Sequence, residues 1–236
     1  MEAEFDFEGD VVLVTGASGA LGSAVAAAFA DAGATVCGAD LIEPGNEDSL
    51  IDPDTVDAFY QGDFTDEDVV ENAVGSIVGD YGRLDALCNI AGTWRGGDPI
   101  AETGVEEFEF LLDVNLKTTF LASKHAIPHL TETGGAIVSV SSRSSLEGGS
   151  GDGPYRASKA GVRLLMETIA AENEGDLRAN AIMPSVIDTP MNRDMMPDAD
   201  HDDWADPADI AEVVLFLCSD AAGVTSGAAV PVYGEA

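Results

Sequence analysis

A tyrosine and a lysine stand four residues apart at the start of a predicted helix, Tyr155 and Lys159. Side chains at positions i and i+4 lie on the same helix face, so the phenol and the ammonium are expected to be neighbours. A free tyrosine has a pKa of about 10, too high for a base at neutral pH, and a nearby positive charge lowers it. The spacing therefore indicates a tyrosine that exchanges a proton, although such a pair is common and alone has little specificity.

A glycine-rich turn follows the first predicted strand and runs straight into a helix, with the sequence Thr15-Gly16-Ala17-Ser18-Gly19-Ala20-Leu21-Gly22. The pyrophosphate of a dinucleotide binds at such a place because free backbone N–H groups and the positive helix end face it. Gly16 permits the tight turn, and Gly22 permits close packing of helix on strand. Since any tight turn favours glycine, it is the strand–turn–helix context that predicts dinucleotide binding.

The second predicted strand ends in a carboxylate, Asp40, which is followed by Leu41. A carboxylate at this point accepts both ribose hydroxyls of an adenosine and repels a 2′-phosphate. No Arg or Lys lies in the glycine turn or just after Asp40 to hold such a phosphate. We therefore expect NAD(H) rather than NADP(H); the alternative is a solvated aspartate in a chain that has many.

The elements that position these residues alternate along the whole chain. The predicted strands are Val11–Val14, Thr35–Ala39, Ala86–Ile90, Ala136–Val140, Ala179–Ile182 and Ala228–Val232. The predicted helices are 21–29 with Gly33 as C-cap, Thr65–Val78, Phe108–Leu130, Ala157–Glu172 and one that Asp206-Pro207 opens. Continuous apolar strands are typical of a parallel sheet covered on both faces. The alternation predicts one α/β domain over residues 1–236, with a doubly wound, mostly parallel sheet of about seven strands and helices on both faces.

Two stretches are irregular in sequence. Glu43–Pro53 is polar and contains Pro and Gly, which predicts a surface loop where a helix could have been. Met191–Asp206 is rich in Asp and Met and follows a strand end. Ligands of an α/β sheet bind outside the carboxyl ends of its strands, so we predict that residues 191–206 form a substrate lid.

An ordered set of motifs spans nearly the whole chain: the glycine turn, Asn89-Ile90-Ala91-Gly92, Asn115, Ser141-Ser142, and the pair Tyr155 and Lys159. This set resembles the short-chain dehydrogenase/reductase family, which implies a Rossmann domain and hydride transfer with a nicotinamide cofactor. By this resemblance Tyr155 is the general acid/base and Lys159 binds the nicotinamide ribose. Ser142 hydrogen-bonds the substrate oxygen, with Ser141 as the second candidate, and Asn115 supports a proton-relay water.

The resemblance also implies a set of cofactor contacts. These are Gly16, Ser18, Ala20, Leu21 and Gly22 at the pyrophosphate, Asp40 and Leu41 at the ribose, Asp63 and Phe64 at the adenine, Asn89, Ala91 and Gly92 along the cofactor, and Pro184, Ile187 and Thr189 at the nicotinamide. Three positions depart from the family pattern. Ala20 replaces the middle glycine, Ser185 replaces the glycine after the proline, and the chain ends Val232-Tyr233-Gly234-Glu235-Ala236 in place of a double glycine. These departures put cofactor affinity and subunit packing in doubt, but not the reaction class.

The charge is the unusual global property of the sequence. Asp and Glu number 44 against 10 Lys and Arg, a formal net charge of -34, whereas small soluble domains carry a net charge of about 2–8 in magnitude. The composition resembles that of proteins from salt-loving organisms, since molar salt shortens the Debye length to about 3 Å and screens the repulsion. A nucleic-acid partner is disfavoured because phosphate contacts need a basic face.

Targeting and metal signals are weak. No stretch approaches the roughly 20 apolar residues of a spanning helix, and the acidic start, Met1–Asp6, lacks signal-peptide features, so a cytoplasmic location without membrane association is expected. The three cysteines, Cys37, Cys88 and Cys218, lack the spacing of a zinc site or a disulfide framework. His125 and His129 have a metal-like spacing but no evident third ligand, so we expect no metal site.

Four arginines follow motifs expected near the substrate, Arg95, Arg143, Arg156 and Arg193. One hypothesis is that one or two of them bind an anionic substrate such as an acid or a sugar acid. The alternative is that they neutralise local carboxylates or lie at an interface. The methionines Met191, Met195 and Met196 either line a flexible pocket or hold the lid against the core.

The sequence thus predicts an NAD(H)-dependent oxidoreductase that interconverts a secondary alcohol and a ketone on a small molecule, of the 3-oxoacyl, sugar or sugar-acid, or pteridine type. By family resemblance it forms a homotetramer or homodimer through its two long helices. Two alternatives keep the fold: a dinucleotide-sensing regulator without turnover, and a lyase or epimerase that uses the phenolate without net hydride transfer. The intact Ser142, Tyr155 and Lys159 weigh against the regulator.

Overall fold

A seven-stranded sheet forms the centre of the computed structural model, which describes residues 5–234. All neighbouring strands are parallel, in the order β3-β2-β1-β4-β5-β6-β7. The strands are β1 Val11–Thr15, β2 Thr35–Asp40, β3 Ala58–Gln61, β4 Ala86–Asn89, β5 Ala136–Val140, β6 Arg178–Pro184 and β7 Ala229–Val232. This confirms the predicted single α/β domain with a doubly wound sheet. The expectations drawn from residues 1–4 and 235–236 lie outside the described residues.

Helices cover both faces of this sheet. They are α1 Ala20–Asp31, α2 Glu67–Tyr81, α3 Val105–Leu112, α4 Thr118–Thr133, α5 Gly153–Glu172, α6 Pro190–Met195 and α7 Pro207–Cys218. One core cluster joins the sheet to α1 and α7, and the other joins it to α2, α4 and α5. In β1, Val12 and Val14 belong to the first cluster, whereas Val11 and Leu13 belong to the second. Alternating side chains of a strand point to opposite faces, so a continuous apolar run is buried on both sides.

Helix ends follow the predicted capping chemistry. Asp206 caps α7 by accepting a hydrogen bond from the Ala208 N–H at 2.8 Å, and Pro207 is the first helical residue. Asp66 caps α2 in the same way. Gly33, directly after the end of α1, has a φ of +88°, which glycine adopts without strain. These residues mark the starts of α2 and α7 and the end of α1.

Three local features differ from the sequence expectation. The edge strand β3 was not among the predicted strands. The helical segment predicted at Phe108–Leu130 is longer in the structure, where it covers residues 105–133. A π-helical turn, Asp113–Lys117, divides this segment into α3 and α4. The predicted lid, residues 191–206, is not irregular throughout, since α6 occupies its start and a 3₁₀ turn, His201–Asp203, its end. Residues 43–53 are a loop as predicted.

The strand order reverses at β1. The chain runs from β1 through β2 to β3 on one side, and then crosses back to β4 on the other. At such a switch point the connections after the two central strands diverge and leave a crevice at the carboxyl ends. The glycine turn follows β1 and Ala91-Gly92 follows β4, so both lie at this crevice. Within residues 5–234, no helix has both the length and the apolar character to cross a membrane.

Candidate active site

The glycine turn between β1 and α1 leaves no room for a side chain at Gly16 or Gly22. Gly16 has a φ of +69°, and a Cβ there would lie 2.7 Å from the backbone N and Cα of Ala91. A Cβ on Gly22 would lie 1.9 Å from the Gly16 carbonyl oxygen. Helix α1 begins at Ala20, and its N-cap, Gly19, offers no side-chain acceptor. The N–H groups of the first helical turn are therefore left for a ligand or water, which is the form of an anion site.

Asp40 is fixed beside this turn. Its Oδ2 accepts a hydrogen bond from the Ser18 N–H at 3.0 Å, and its Oδ1 accepts one from the Ile42 N–H at 3.2 Å. The Ser18 hydroxyl donates to the Ile42 carbonyl at 2.5 Å. The carboxylate is half-buried and keeps lone pairs that a ligand hydroxyl could use.

The residues expected at the ribose and the adenine follow β2 and β3, two strands that pair with each other. Leu41 is 64% exposed, and its carbonyl accepts from Gln61 Nε2 at 3.0 Å. Asp63 is exposed and accepts from both the N–H and the hydroxyl of Thr65. Phe64, like Leu21 in the glycine turn, is buried in the core, so its backbone rather than its ring is open to a ligand.

A threonine that the sequence reasoning did not single out joins β1 to β4. The Thr15 Oγ1 accepts from the N–H of Ile90 at 3.2 Å and of Ala91 at 3.3 Å. Asn89 points into the core instead, where its Nδ2 donates to the hydroxyls of Ser123 and Ser139. Asn89 therefore supports the crevice from inside, and only its backbone is available to line a cofactor. The position of Thr15 at the end of β1, next to the glycines of the turn, was the feature of the sequence that could have indicated this role.

Asn115 lies in the π-helical turn and is fully buried. Its Oδ1 accepts from the Thr93 N–H at 2.8 Å, and its Nδ2 donates to the Thr93 carbonyl at 3.0 Å and the Ser158 hydroxyl at 3.1 Å. A Cβ on Gly92 would lie 2.8 Å from Asn115 Oδ1 and 2.9 Å from Lys159 Nζ. Gly92, Asn115 and Lys159 therefore meet, and π-helical turns are frequent at functional sites.

Lys159 is a buried ammonium on α5. Its Nζ donates to the carbonyl of Val140, the last residue of β5, at 2.9 Å. No described carboxylate lies within ion-pair distance of it, unlike the exposed Lys117 and Lys124. Burial lowers the pKa of Lys159 to about 8. The lysine thus titrates near neutral pH.

Tyr155 lies in the first turn of α5 and hydrogen-bonds the Ser142 side chain. Burial raises the pKa of the Tyr155 phenol, the Ser142 hydrogen bond and the Arg156 charge lower it, and the Asp152 charge raises it. Lys159 is not among the groups that shift this pKa, contrary to the sequence expectation. The physical reason is that its ammonium is directed to the Val140 carbonyl rather than to the phenol.

The two serines after β5 face different partners. The Ser142 Oγ accepts from the Ser144 N–H at 3.1 Å and so caps a 3₁₀ turn, Arg143–Leu146. The Ser141 hydroxyl donates to the Lys159 carbonyl at 2.8 Å. Of the two candidates, Ser142 is the one brought to the tyrosine.

Ser185, which replaces the family's glycine after Pro184, has a hydrogen-bond partner in the segment after β7. The Ser185 hydroxyl donates to the Tyr233 carbonyl at 2.6 Å. A Cβ on Gly234 would lie 3.0 Å from the Asp203 carbonyl oxygen. The segment after β7 therefore packs against the end of the predicted lid.

The predicted lid, residues 191–206, is held at both ends by contacts of the residues expected at the nicotinamide. Ile187 pairs with Ala205 in an isolated parallel bridge, and the Ile187 carbonyl accepts from Asn192 Nδ2 at 2.8 Å. The Thr189 hydroxyl oxygen caps α6 by accepting from the Asn192 N–H at 3.1 Å. The lid methionines Met191, Met195 and Met196 are 61%, 45% and 37% exposed, so they are not packed into the core.

The four arginines divide into two groups. Arg156 and Arg193 form ion pairs with Asp152 at 2.6 Å and Asp188 at 2.5 Å. The Arg95 guanidinium lies 3.6 Å above the centre of the Phe110 ring, and that of Arg143 lies 5.0 Å from the Tyr233 ring centre. The first two thus fit the alternative in which they neutralise local carboxylates.

The histidine pair shows no sign of a metal centre. His125 Nε2 lies 3.2 Å from Glu67 Oε1. The described part of the chain contains no group of three or more His, Cys, Asp or Glu side chains arranged to hold a metal ion.

The site as a whole combines two kinds of chemistry. A phenol and a serine hydroxyl in contact can polarise an oxygen and exchange a proton with it. An anion-binding turn and a fixed carboxylate lie at the same edge of the sheet and fit a dinucleotide. A redox cofactor would therefore be held beside a proton donor.

The sequence is similar to those of known reductases and dehydrogenases. The sequence model of the family described as enoyl-(acyl carrier protein) reductase matches residues 16–234. The 3-oxoacyl-(acyl-carrier-protein) reductase of Thermotoga maritima is 35% identical, over 96% of this chain and 97% of that protein. The meso-2,3-butanediol dehydrogenase of Serratia marcescens is 32% identical, over 98% of this chain and 95% of that protein.

Solved structures show the same architecture. Levodione reductase superimposes with a TM-score of 0.88 at 29% identity, covering 97% of each chain. Carveol dehydrogenase from Mycobacterium avium in complex with NAD gives a TM-score of 0.85 at 26% identity, covering 96% of this chain and 97% of that one. The chain therefore resembles these reductases and dehydrogenases over 96–98% of its length.

Proposed function

Because the chain belongs to the short-chain dehydrogenase/reductase family, we propose that it is an NAD(H)-dependent oxidoreductase that interconverts a secondary alcohol and a ketone on a small molecule. The observation that carries the proposal is the hydrogen bond between Tyr155 and Ser142, with the buried Lys159 one helical turn further along α5. The relatives named above act on different molecules, so the proposal stops at this substrate class.

In the direction of ketone reduction, the Ser142 hydroxyl donates a hydrogen bond to the substrate oxygen and fixes its position. Tyr155 gives its phenolic proton to that oxygen, and in alcohol oxidation the phenolate takes the proton back. The bound nicotinamide supplies or accepts the hydride. Lys159 would hold the nicotinamide ribose, and Asn115, which hydrogen-bonds the Thr93 backbone and lies close to Gly92, would support this part of the site. A positive charge on the bound ring favours the phenolate, which offsets the effect of burial on Tyr155.

NAD(H) is the proposed cofactor because of Asp40. Its carboxylate is held in place by the Ser18 and Ile42 N–H groups and remains half-buried at the end of β2. Ribose hydroxyls can donate to it, whereas a 2′-phosphate would meet a fixed negative charge. The glycine turn, with Gly16 and Gly22 free of side chains, fits the pyrophosphate.

We infer that the proposed lid, residues 191–206, would present apolar side chains to a substrate, because its methionines are exposed. An anionic substrate remains one hypothesis, and Arg95 is a candidate to bind it, with its guanidinium 3.6 Å above the Phe110 ring, whereas Arg156 and Arg193 are paired with aspartates. Substitution of Arg95 by alanine would raise KM for carboxylate substrates but not for neutral ones if this hypothesis holds.

The proposed assembly is a homodimer or homotetramer through the two long helices. A groove of about 500 Å³ lies between the helix 105–133 and α5. It is lined mainly by apolar side chains, among them Leu112, Leu116, Phe120, Leu164 and Leu165. Phe120 is 48% exposed and Leu164 is 52% exposed, so the same helices of a second copy could cover them.

We also propose that the protein works in concentrated salt, within a salt-rich cytoplasm. The support is the net charge of -34. Repulsion of this size disfavours the compact state unless salt screens it.

The function is tested by following NADH absorbance with a panel of ketones and alcohols in molar KCl. The wild type should show turnover, and Tyr155→Phe should lower kcat by about 10²- to 10⁴-fold while it still binds NADH by fluorescence. Binding without turnover on any substrate would favour the regulator. Conversion of substrate without net change in cofactor would favour the lyase or epimerase.

A further inference from the structure

Arg156, the residue after the proposed acid/base, links its helix to the loop that carries Ser142. The Arg156 Nε donates to Asp152 Oδ1 at 2.6 Å. Its Nη1 donates to the Glu147 carbonyl at 3.0 Å and, at 3.5 Å, to the Ser144 carbonyl. Both carbonyls belong to the connection between β5 and α5 that starts at Ser142.

The loop is also shaped around the guanidinium. A Cβ on Gly149 would lie 2.3 Å from the Arg156 Cζ and Nη2 atoms, so only glycine lets the backbone approach this closely. The sequence here, Gly148-Gly149-Ser150-Gly151, has three glycines and therefore little intrinsic order. On its other side, the Gly151 carbonyl accepts from the Gly97 N–H at 2.6 Å.

The pair of Arg156 and Asp152 is partly withdrawn from water. The side chains are 23% and 13% exposed, compared with 51% for Arg193 in its ion pair with Asp188. Asp152 stands at the N-cap of α5 but makes no side-chain cap there, so its carboxylate serves the arginine instead. A planar guanidinium can reach a carboxylate and two carbonyls at once, which a lysine ammonium on a flexible stem cannot do in the same geometry.

We propose that Arg156 is a positioning residue that holds loop 144–151 against the first turn of α5 and thereby keeps the Ser142 hydroxyl on Tyr155. Ser142 caps the 3₁₀ turn after β5, whereas Tyr155 lies on helix α5. Arg156, the neighbour of Tyr155 on α5, hydrogen-bonds backbone carbonyls of the loop that follows Ser142. The expected effect of Arg156 on turnover rests on the proposed function. The contacts between Arg156 and loop 144–151 do not depend on that function.

The experiment compares Arg156→Lys, which keeps the charge, and Arg156→Met, which does not, with a matched control. Arg163→Met is that control, because Arg163 also forms an i, i+4 ion pair on α5, with Glu167, but has no contact with the loop. Hydrogen exchange of the amides of residues 144–151 and ¹³C-tyrosine NMR titration, with the resonance assigned by Tyr155→Phe, are measured together with kcat and KM.

Both Arg156 variants should have a kcat roughly 10- to 100-fold below that of the wild type, because small misplacements of reacting groups have effects of this size. Their KM for NADH should stay within about twofold of the wild-type value. Loop amides should exchange at least about tenfold faster. In Arg156→Lys the Tyr155 phenol should titrate at higher pH, since it loses the Ser142 hydrogen bond but keeps the neighbouring charge. Arg163→Met should match the wild type in all three measurements.

An Arg156→Lys protein with wild-type kcat, loop exchange and tyrosine titration would overturn the proposal, and so would faster loop exchange without any change in titration or kcat. If the wild type turns over no alcohol or ketone while the loop and the titration change as described, the proposed function fails and the positioning role stands.

Discussion

Lys159 shows how the site is held at the scale of single residues. It is one of only three lysines in the chain, with Lys117 and Lys124, and the one that is buried. Its ammonium has the Val140 carbonyl as a hydrogen-bond acceptor and no described carboxylate as a counter-ion. An ammonium buried in this way costs free energy of folding, which appears as a pKa lowered to about 8. Such a cost is expected where the charge is needed by a ligand.

Replacement of this lysine should stabilise the protein. Below about pH 8 Lys159 is charged in the folded and unfolded states and its full desolvation cost is present. Above the ordinary lysine pKa of about 10.4 it is neutral in both states and the cost is absent. Stability should therefore rise with pH between these values in the wild type but not in Lys159→Met. At pH 7 the variant should be more stable by about 1–3 kcal/mol, after the lost hydrogen bond to Val140 is subtracted.

Thermal unfolding of both proteins in molar KCl at pH 7 and pH 10, without cofactor, measures this difference. Other titrating groups are common to the two proteins and cancel. A variant less stable than the wild type at pH 7 would contradict the expectation. The same variant should bind NADH more weakly, since it lacks the group proposed to hold the ribose.

Asp40 decides the cofactor at the same scale. Asp40→Asn keeps an oxygen that can accept the Ser18 N–H but removes the negative charge. The ratio of kcat/KM for NAD(H) to that for NADP(H) should fall by about tenfold or more, equal to about 1.4 kcal/mol. Asp63→Asn is the control, because adenine is common to both cofactors and the ratio should stay constant. An unchanged ratio in Asp40→Asn would show that this carboxylate does not select the cofactor.

Secondary-structure elements were predictable where their signal is local. The spacing of Tyr155 and Lys159 placed them one turn apart because one helix carries both. Asp206-Pro207 predicted the start of α7 because the cap lies in the sequence itself. The strand β3 could not be found in the same way. Ala58–Gln61 is four residues long, lies at the sheet edge and is only partly buried, so it has no continuous apolar run.

Other features depend on contacts across the chain. The π-helical turn around Asn115 inserts into a regular helical pattern that hydrophobic spacing does not resolve. The role of Arg156 depends on backbone carbonyls at residues 144 and 147, and residue types do not encode which carbonyl a side chain will meet. Sequence placed the four arginines near the site, and only the structure separated those paired with aspartates from the others.

The groove between the helix 105–133 and α5 leads to a prediction about assembly. Gly161 allows α5 to approach the neighbouring helix, since a Cβ there would lie 2.8 Å from a Leu116 methyl. Leu164→Glu places a charge in the groove, close to Asp113. In a twofold interface each change acts twice, and the burial of one leucine contributes about 1.5–3 kcal/mol. We expect the assembly to dissociate, measured by light scattering on a size-exclusion column in molar KCl.

Val224→Glu is the matched control, because Val224 is fully exposed but does not line the groove. It should leave the assembly unchanged. If Leu164→Glu keeps the mass of the wild type, these helices are not the interface.

At the scale of the whole molecule, we expect the net charge of -34 to control stability. The ion pairs within residues 5–234 include those of Arg83, Lys117, Lys124, Arg156, Arg163 and Arg193, and the whole chain has only 10 Lys and Arg side chains. The 44 acidic residues therefore far exceed the available cations. Repulsion among them acts over a Debye length, which falls from about 10 Å at 0.1 M salt to about 3 Å at 1 M. The folded state, which holds these charges closer together than the unfolded chain, should gain most from screening.

The melting temperature should therefore rise steeply between about 0.1 and 1 M KCl and more gradually above that, because the Debye length then changes little. Sucrose at matched osmolality is the control, since it is excluded from the protein surface and favours compact states without screening charge. A similar rise in sucrose would assign the effect to exclusion, and a melting temperature independent of KCl would contradict the proposed adaptation to salt. Activity should follow the same curve, because loop 144–151 and the proposed lid are surface segments whose positions depend on the stability of the domain beneath them.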